Sequence, residues 1–168
     1  SLIQKFDDAV KQKSTLLAKA ALQELSDSQN FATLAGPVSR LFSRKLVLLE
    51  LENPELILAN RLALLTPDYE MAAYRLKSLF QHNDVEIATA TGNFSKFKPK
   101  TAFEEIIYDG FVRPRIPYAI KTMLEQGKLG EVILTAIIQF HKGEVGDLQD
   151  MMDALSTLRL IGLEDTAV

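Results

Sequence analysis

Apolar residues recur at three- and four-residue steps along most of the chain. Leu2, Phe6, Ala9 and Val10, then Leu16, Leu17, Ala20 and Leu25, outline an amphipathic opening segment with the period of a helix. Ser14-Thr15 offers a cap for a second start inside it, so one helix or two is expected. Ser26-Asp27-Ser28 reads as a stop and restart, and Gly36-Pro37 predicts a break with Pro37 at a first helical position. The stripe Leu41, Phe42, Leu46, Leu49 and Leu51 follows. Asn53-Pro54-Glu55 repeats the cap-and-proline start, opening a nearly all-apolar helix of Leu56, Ile57, Ala59, Leu62, Ala63 and Leu65 that should be buried on most sides. Thr66 is expected to cap the next, with Pro67 first and Asp68 and Glu70 in the first turn, where the helix dipole favours acids, before Met71, Tyr74, Leu79 and Phe80. Helices joined by one or two residues must fold back as hairpins.

Over residues 81–100 the texture changes. Asn83-Asp84, Thr89, Thr91 and Gly92-Asn93 interrupt any long helix, and the stretch reads as a hinge or long loop. Residues 85–90 alternate apolar and polar, but an isolated strand has no partner, and a short helix is the better reading. Helical spacing resumes over 101–108, closed by Asp109-Gly110. Arg113-Pro114-Arg115-Ile116-Pro117 is extended, because each proline disfavours helix in the residue before it, and Pro117 opens another helix. Tyr118, Ile120, Met123 and Leu124 lead to Gly127, residues 129–140 form a strongly apolar helix, and Asp147 precedes Leu148, Met151, Met152, Leu155 and Leu158.

The expected fold is all-α: antiparallel helix hairpins stacked as a short α-solenoid or irregular bundle, in a single helical domain or a fragment of a longer array, over residues 1–168. Starts at Pro54, Pro67, Thr101, Pro117, Leu129 and Asp147, with short turns between, resemble TPR-like α-solenoid proteins in architecture; the 34-residue tetratricopeptide signature is not present. Gly130-Glu131-Val132-Ile133-Leu134 and the run from Leu155 through Arg159 and Gly162 to Asp165 are similar to the closing part of uncharacterised bacterial helical proteins rich in Ala and Leu. That resemblance implies a bacterial helical-repeat protein and brings no catalytic residues.

Composition narrows the chemistry. Zero Cys excludes a disulfide framework, a thiolate zinc site and a cysteine nucleophile, and two His exclude a histidine-rich metal centre, so no cofactor or metal is expected. A net charge of -3 offers no overall attraction to nucleic acid or an anionic membrane, and no nucleic-acid partner is expected. The longest apolar runs, 46–51 and 132–138, fall far short of the roughly 20 residues that cross a bilayer. A soluble chain of cytoplasm or periplasm is expected, opening at Ser1 without a leader and read as a fragment or processed chain, with 162–167 looking like another helix start.

Several clusters invite a functional reading. Phe94, Lys96, Phe97, Lys98, Pro99 and Lys100, with Arg113, Arg115 and Lys121 beyond, interleave aromatics with cations as single-stranded nucleic-acid sites do; the simpler reading is a loop pinned by its phenylalanines with its lysines in water. His82 and His141 stand alone. Glu104, Glu105 and Asp109, and the run Glu144, Asp147, Asp150 and Asp153, suit hydrolysis only if acids face each other across a cleft; the second run fits one exposed helix face. Gly127-Lys128-Leu129-Gly130 lacks the phosphate-loop spacing and reads as a hairpin turn, and Met71, Met123, Met151 and Met152 read as core filler rather than an adaptable groove.

The reading that follows is a non-enzymatic protein-interaction or assembly module of a larger complex, self-associating or bound to a protein partner. Its first candidates are Tyr69, Tyr74, Arg113, Arg115 and Tyr118, because Tyr and Arg anchor interfaces. The alternatives are a regulatory domain that binds a small molecule in a pocket near residues 81–117, and an all-α hydrolase using Glu104 and Asp109.

Overall fold

The computed structural model of the chain describes residues 1–80, 84–163 and 167. Among the described residues there are ten helices and no strand. The chain divides into two compact units, Ser1–His82 and Asn83–Val168.

The first unit holds α1 (Leu2–Lys11), α2 (Thr15–Ser26), α3 (Phe31–Leu46), α4 (Glu55–Leu64) and α5 (Tyr69–Leu79). Ser1 caps α1 by accepting from the Gln4 N–H, and Ser14 caps α2 through the Leu17 N–H, so the opening stripe is two helices. α1 and α2 fold back on each other, α3 packs on both, and α4 bridges α2, α3 and α5. Their shared core is Phe6, Ala9, Ala18, Ala21, Leu22, Leu25, Val38, Phe42, Leu46, Ala59 and Leu62, with Phe6 and Phe42 stacked at 5.7 Å between ring centroids.

Two expected starts move. Gly36-Pro37 lies inside α3 rather than breaking it. Pro37 has no N–H for the Thr33 carbonyl, but both residues are on the exposed side of α3, while Ala35, Val38, Phe42 and Leu46 stay buried on the other. Leu49 and Leu51 lie past the end of α3, and Leu41 is exposed. Thr66 does not cap α5: its hydroxyl donates to the Ala63 carbonyl at 2.7 Å and accepts from the Asp68 N–H at 3.3 Å, closing a turn, and the helix starts two residues after Pro67.

The second unit holds α6 (Val85–Thr91), α7 (Ala102–Val112), α8 (Tyr118–Glu125), α9 (Leu129–Glu144) and α10 (Leu148–Leu160). The alternating residues 85–90 are helical in α6, which ends on Gly92 at φ +63°, while His82 lies outside the described residues. α10 is the central element, packed on α7 and α9, with α8 against α9 and α6 against α7.

Two glycines set these approaches. Gly110 does not close α7 but lies within it, where a Cβ would stand 3.0 Å from the Leu155 Cβ. Gly143 lies in the last turn of α9, where a Cβ would meet the Met151 Cβ at 2.6 Å and its Cα at 2.8 Å. At Gly143 the Met151 backbone itself takes the room of a side chain, and at Gly110 the Leu155 side chain does.

Candidate functional site

α9 has two contrasting faces. At 100° per residue, Val132, Ala136, Gln139 and Gly143 point one way, and Leu134, Ile138 and His141 the other, with Ile137 beside them. The first set meets the unit: Val132, Ala136 and Gly143 are buried, and Gln139 Nε2 donates to Asp150 Oδ1 at 3.4 Å. The second set is apolar and in water: Leu134 is 63%, Ile137 52% and Ile138 58% exposed, and Val145, just past the helix end, 79%. A contiguous apolar stripe on a well-formed helix is the usual mark of a contact surface, since leaving each such side chain half in water forgoes about 1 kcal/mol or more of burial.

Charges frame the stripe. Glu131 lies toward the N-terminal end, 3.9 Å from Lys128; Lys142 lies toward the C-terminal end, where it reaches Asp150 at 3.4 Å. His141 Nδ1 stands 3.2 Å from Glu144. All of these side chains except that of Asp150 keep about half or more of their surface in water, so the pairs contribute little to stability.

The residues chosen from the sequence are spread over both units. Tyr69 and Tyr74 are on α5, five residues and therefore about 140° apart, so they do not share a face. Tyr74 is exposed and Tyr69 half-buried. In the second unit, Arg113 is exposed, 3.6 Å from Asp109, with its guanidinium 5.6 Å from the Tyr108 ring centre. Arg115 and Tyr118 are also exposed, Tyr118 at the first position of α8.

The basic aromatic stretch divides by residue type. Phe94 and Phe97 are buried and form a cluster with Tyr108 and Phe111, with centroids 5.5–6.3 Å apart, while Lys96, Lys98 and Lys100 are exposed. Arg159 stacks on the far ring, 4.8 Å from the Phe111 centre. The phenylalanines therefore anchor the loop and are not free to stack on a base.

The acids are engaged locally. Glu104 completes a capping box with Thr101 at the start of α7, and Asp109 faces Arg113. Asp147 caps α10 through the Asp150 N–H, and Asp153 accepts from Gln149 at 2.9 Å. Asp150 and Asp153 are half-buried rather than on one exposed face, and burial pushes the Asp153 carboxyl above its usual range. Among the described residues no group of three or more His, Asp or Glu is placed to hold a metal ion. No described helix is long and apolar enough to cross a membrane.

Two clefts lie among the described residues of the first unit. One, of about 320 Å³, is lined by Gln23, Asp27, Pro54, Glu55 and Arg61, among others; the Glu55 Oε2 is buried without a hydrogen bond, with the Lys19 ammonium 3.9 Å away. The other, of about 250 Å³, is lined by Val47, Leu48, Met71 and Ala72 beside the Arg44–Asp68 pair, in which Arg44 Nη2 donates to Asp68 at 3.0 Å. The hydrogen bond from Arg44 holds the Asp68 carboxyl below its usual range. No protein-family model matches the chain, and neither a curated protein nor a solved structure does.

Proposed function

We propose that the chain is a non-enzymatic protein-interaction or assembly module that docks through the outer face of α9. One observation carries this reading: Leu134, Ile137 and Ile138 stand in water on a helix whose opposite face is locked into its unit. A stable helix that leaves such a stripe uncovered gains by meeting another apolar surface. The packed helix pairs also suit a TPR-like assembly role, in which contacts are distributed over helix faces.

Photo-crosslinking in the producing cell tests it. A photoreactive residue at Leu134 or Ile138 is expected to give discrete protein adducts that the same residue at exposed Arg40 does not give. Equal labelling at all three positions, or none at 134 and 138, would sink the reading.

A second reading, a small-ligand regulatory domain, is favoured by the Glu55 cleft. A buried carboxylate oxygen with no hydrogen-bond donor suits a compact amine or guanidinium. A melting temperature raised by such cations in the wild type, and not in Glu55→Gln, supports it; the same melting temperature with and without them rejects it.

A further inference from the structure

We infer that the occupant of the α9 face is α9 of a second copy, packed antiparallel about a twofold axis. This rests on the docking reading above and names its partner.

The argument is one of register. Gly130, Leu134, Ile137 and His141 follow one another at steps of four, three and four, the seam of an antiparallel helix pair. Setting Leu134 opposite Ile137 of the other copy puts the axis between residues 135 and 136, and every other pairing then follows. Gly130 comes opposite His141, and a Cβ built on Gly130 meets nothing within 4 Å, so there is room above it for an imidazole.

The flank supplies the charge test. Glu131, Ile138 and Lys142 lie on the same side of the seam, and a twofold axis normal to both helices keeps that side facing itself. Glu131 of each copy is therefore brought within about 3 Å along the axis of Lys142 of the other, twice, a gap the long side chains span, and the two helix dipoles run head to tail. A parallel pairing would put like ends together and offer neither match. Lys142 has three donors, so its contact with Asp150 leaves it able to serve a second carboxylate.

The chain contains no Cys, so a single introduced thiol reports distance cleanly. Two copies of residue 134 would be offset by about 5 Å along the axis and two copies of residue 145 by about 28 Å. Leu134→Cys is expected to form an interchain disulfide under mild oxidation, and Val145→Cys is not.

Sedimentation of the whole chain from low micromolar to near-millimolar concentration should give a reversible dimer. Ile138→Asp should abolish it with the helical circular dichroism unchanged. Glu131→Lys and Lys142→Glu should each weaken it roughly tenfold, and the double exchange should restore it to within about threefold. A monomer throughout, a dimer indifferent to Ile138→Asp, failure of the double exchange to rescue, or equal crosslinking at 134 and 145 overturns the pairing. A monomer that still gives photo-adducts of another protein at Leu134 overturns the pairing alone; absence of all adducts removes the docking reading as well.

Discussion

In the first unit the faces where helices meet are lined with alanine: Ala9, Ala18, Ala21, Ala35, Ala59, Ala63, Ala72 and Ala73 are all buried, and Phe6 stacks on Phe42 in its core. In the second, two close approaches fall at Gly110 and Gly143, and four rings from α7 and the loop before it pack together. Alanine serves both ends at once, being the best helix former and small enough for close packing. Glycine serves only the packing and costs about 1 kcal/mol of helix propensity at each position. The second unit thus accepts weaker local helices for closer contact around α10, and it is also the unit that leaves the long face of α9 in water.

The difference can be tested from its deepest feature outward. Phe6→Ala removes a fully buried ring, stacked on Phe42, from a core whose helices are held close by alanine. A loss of about 3–5 kcal/mol in denaturant melts is expected. A loss below about 1 kcal/mol would mean that this core collapses freely, and that alanine is not holding the helices at a fixed distance.

The small residues come next, exchanged in opposite directions. Gly143→Ala is expected to destabilise by about 1–3 kcal/mol, because the new methyl group meets the Met151 backbone, although propensity alone favours it. Ala59→Gly should cost about 1 kcal/mol or more, losing both propensity and a buried methyl. If Gly143→Ala raised the melting temperature, the close approach of α9 and α10 would be wrong.

These positions also mark where the sequence was legible. Local signals are legible: the all-α class, the starts at Thr101 and Asp147, the short helix over 85–90 and the capping role of Ser14 depend on residues within four positions of one another. Gly36-Pro37 and Asp109-Gly110 were read as breaks because their cost is local, while what offsets it is the burial of Val38 and Phe42 in one case and the closeness of Leu155 in the other. Thr66 failed for a related reason, since a hydroxyl can close a turn as readily as cap a helix. The exposed stripe of α9 was missed altogether. Residues 129–140 read as strongly apolar, but periodicity does not say which of two apolar faces the fold covers. A clue was present: a helix apolar nearly all round has more apolar surface than one neighbour can cover. Tyr and Arg, chosen by type, led instead to residues on separate elements.

The capping box of α7 tests the second unit further. Thr101→Ala removes the acceptor for the Glu104 N–H and is expected to cost about 1 kcal/mol. Because α7 carries Tyr108 and Phe111, the change should also loosen the aromatic cluster, seen as faster hydrogen exchange across α7. Full protection of α7 in the variant would place the cluster, rather than the cap, in control of that helix.

The smallest effect concerns Asp153 on α10. Burial is the main cause of its raised pKa, reinforced by Asp150 and Asp147 and opposed by the hydrogen bond from Gln149. For an acid whose folded pKa lies above the unfolded one, the folded state holds the proton more tightly. Stability from this group is therefore present at low pH and lost as pH rises from the unfolded carboxylate range through the raised folded value. At neutral pH the charged form works against the fold, so Asp153→Asn, which keeps an oxygen for Gln149, should raise the melting temperature slightly. The gain should disappear below the unfolded carboxylate range, where the wild-type acid is neutral too. A gain of equal size at both pH values would mean that packing, and not the half-buried charge on α10, separates the two proteins.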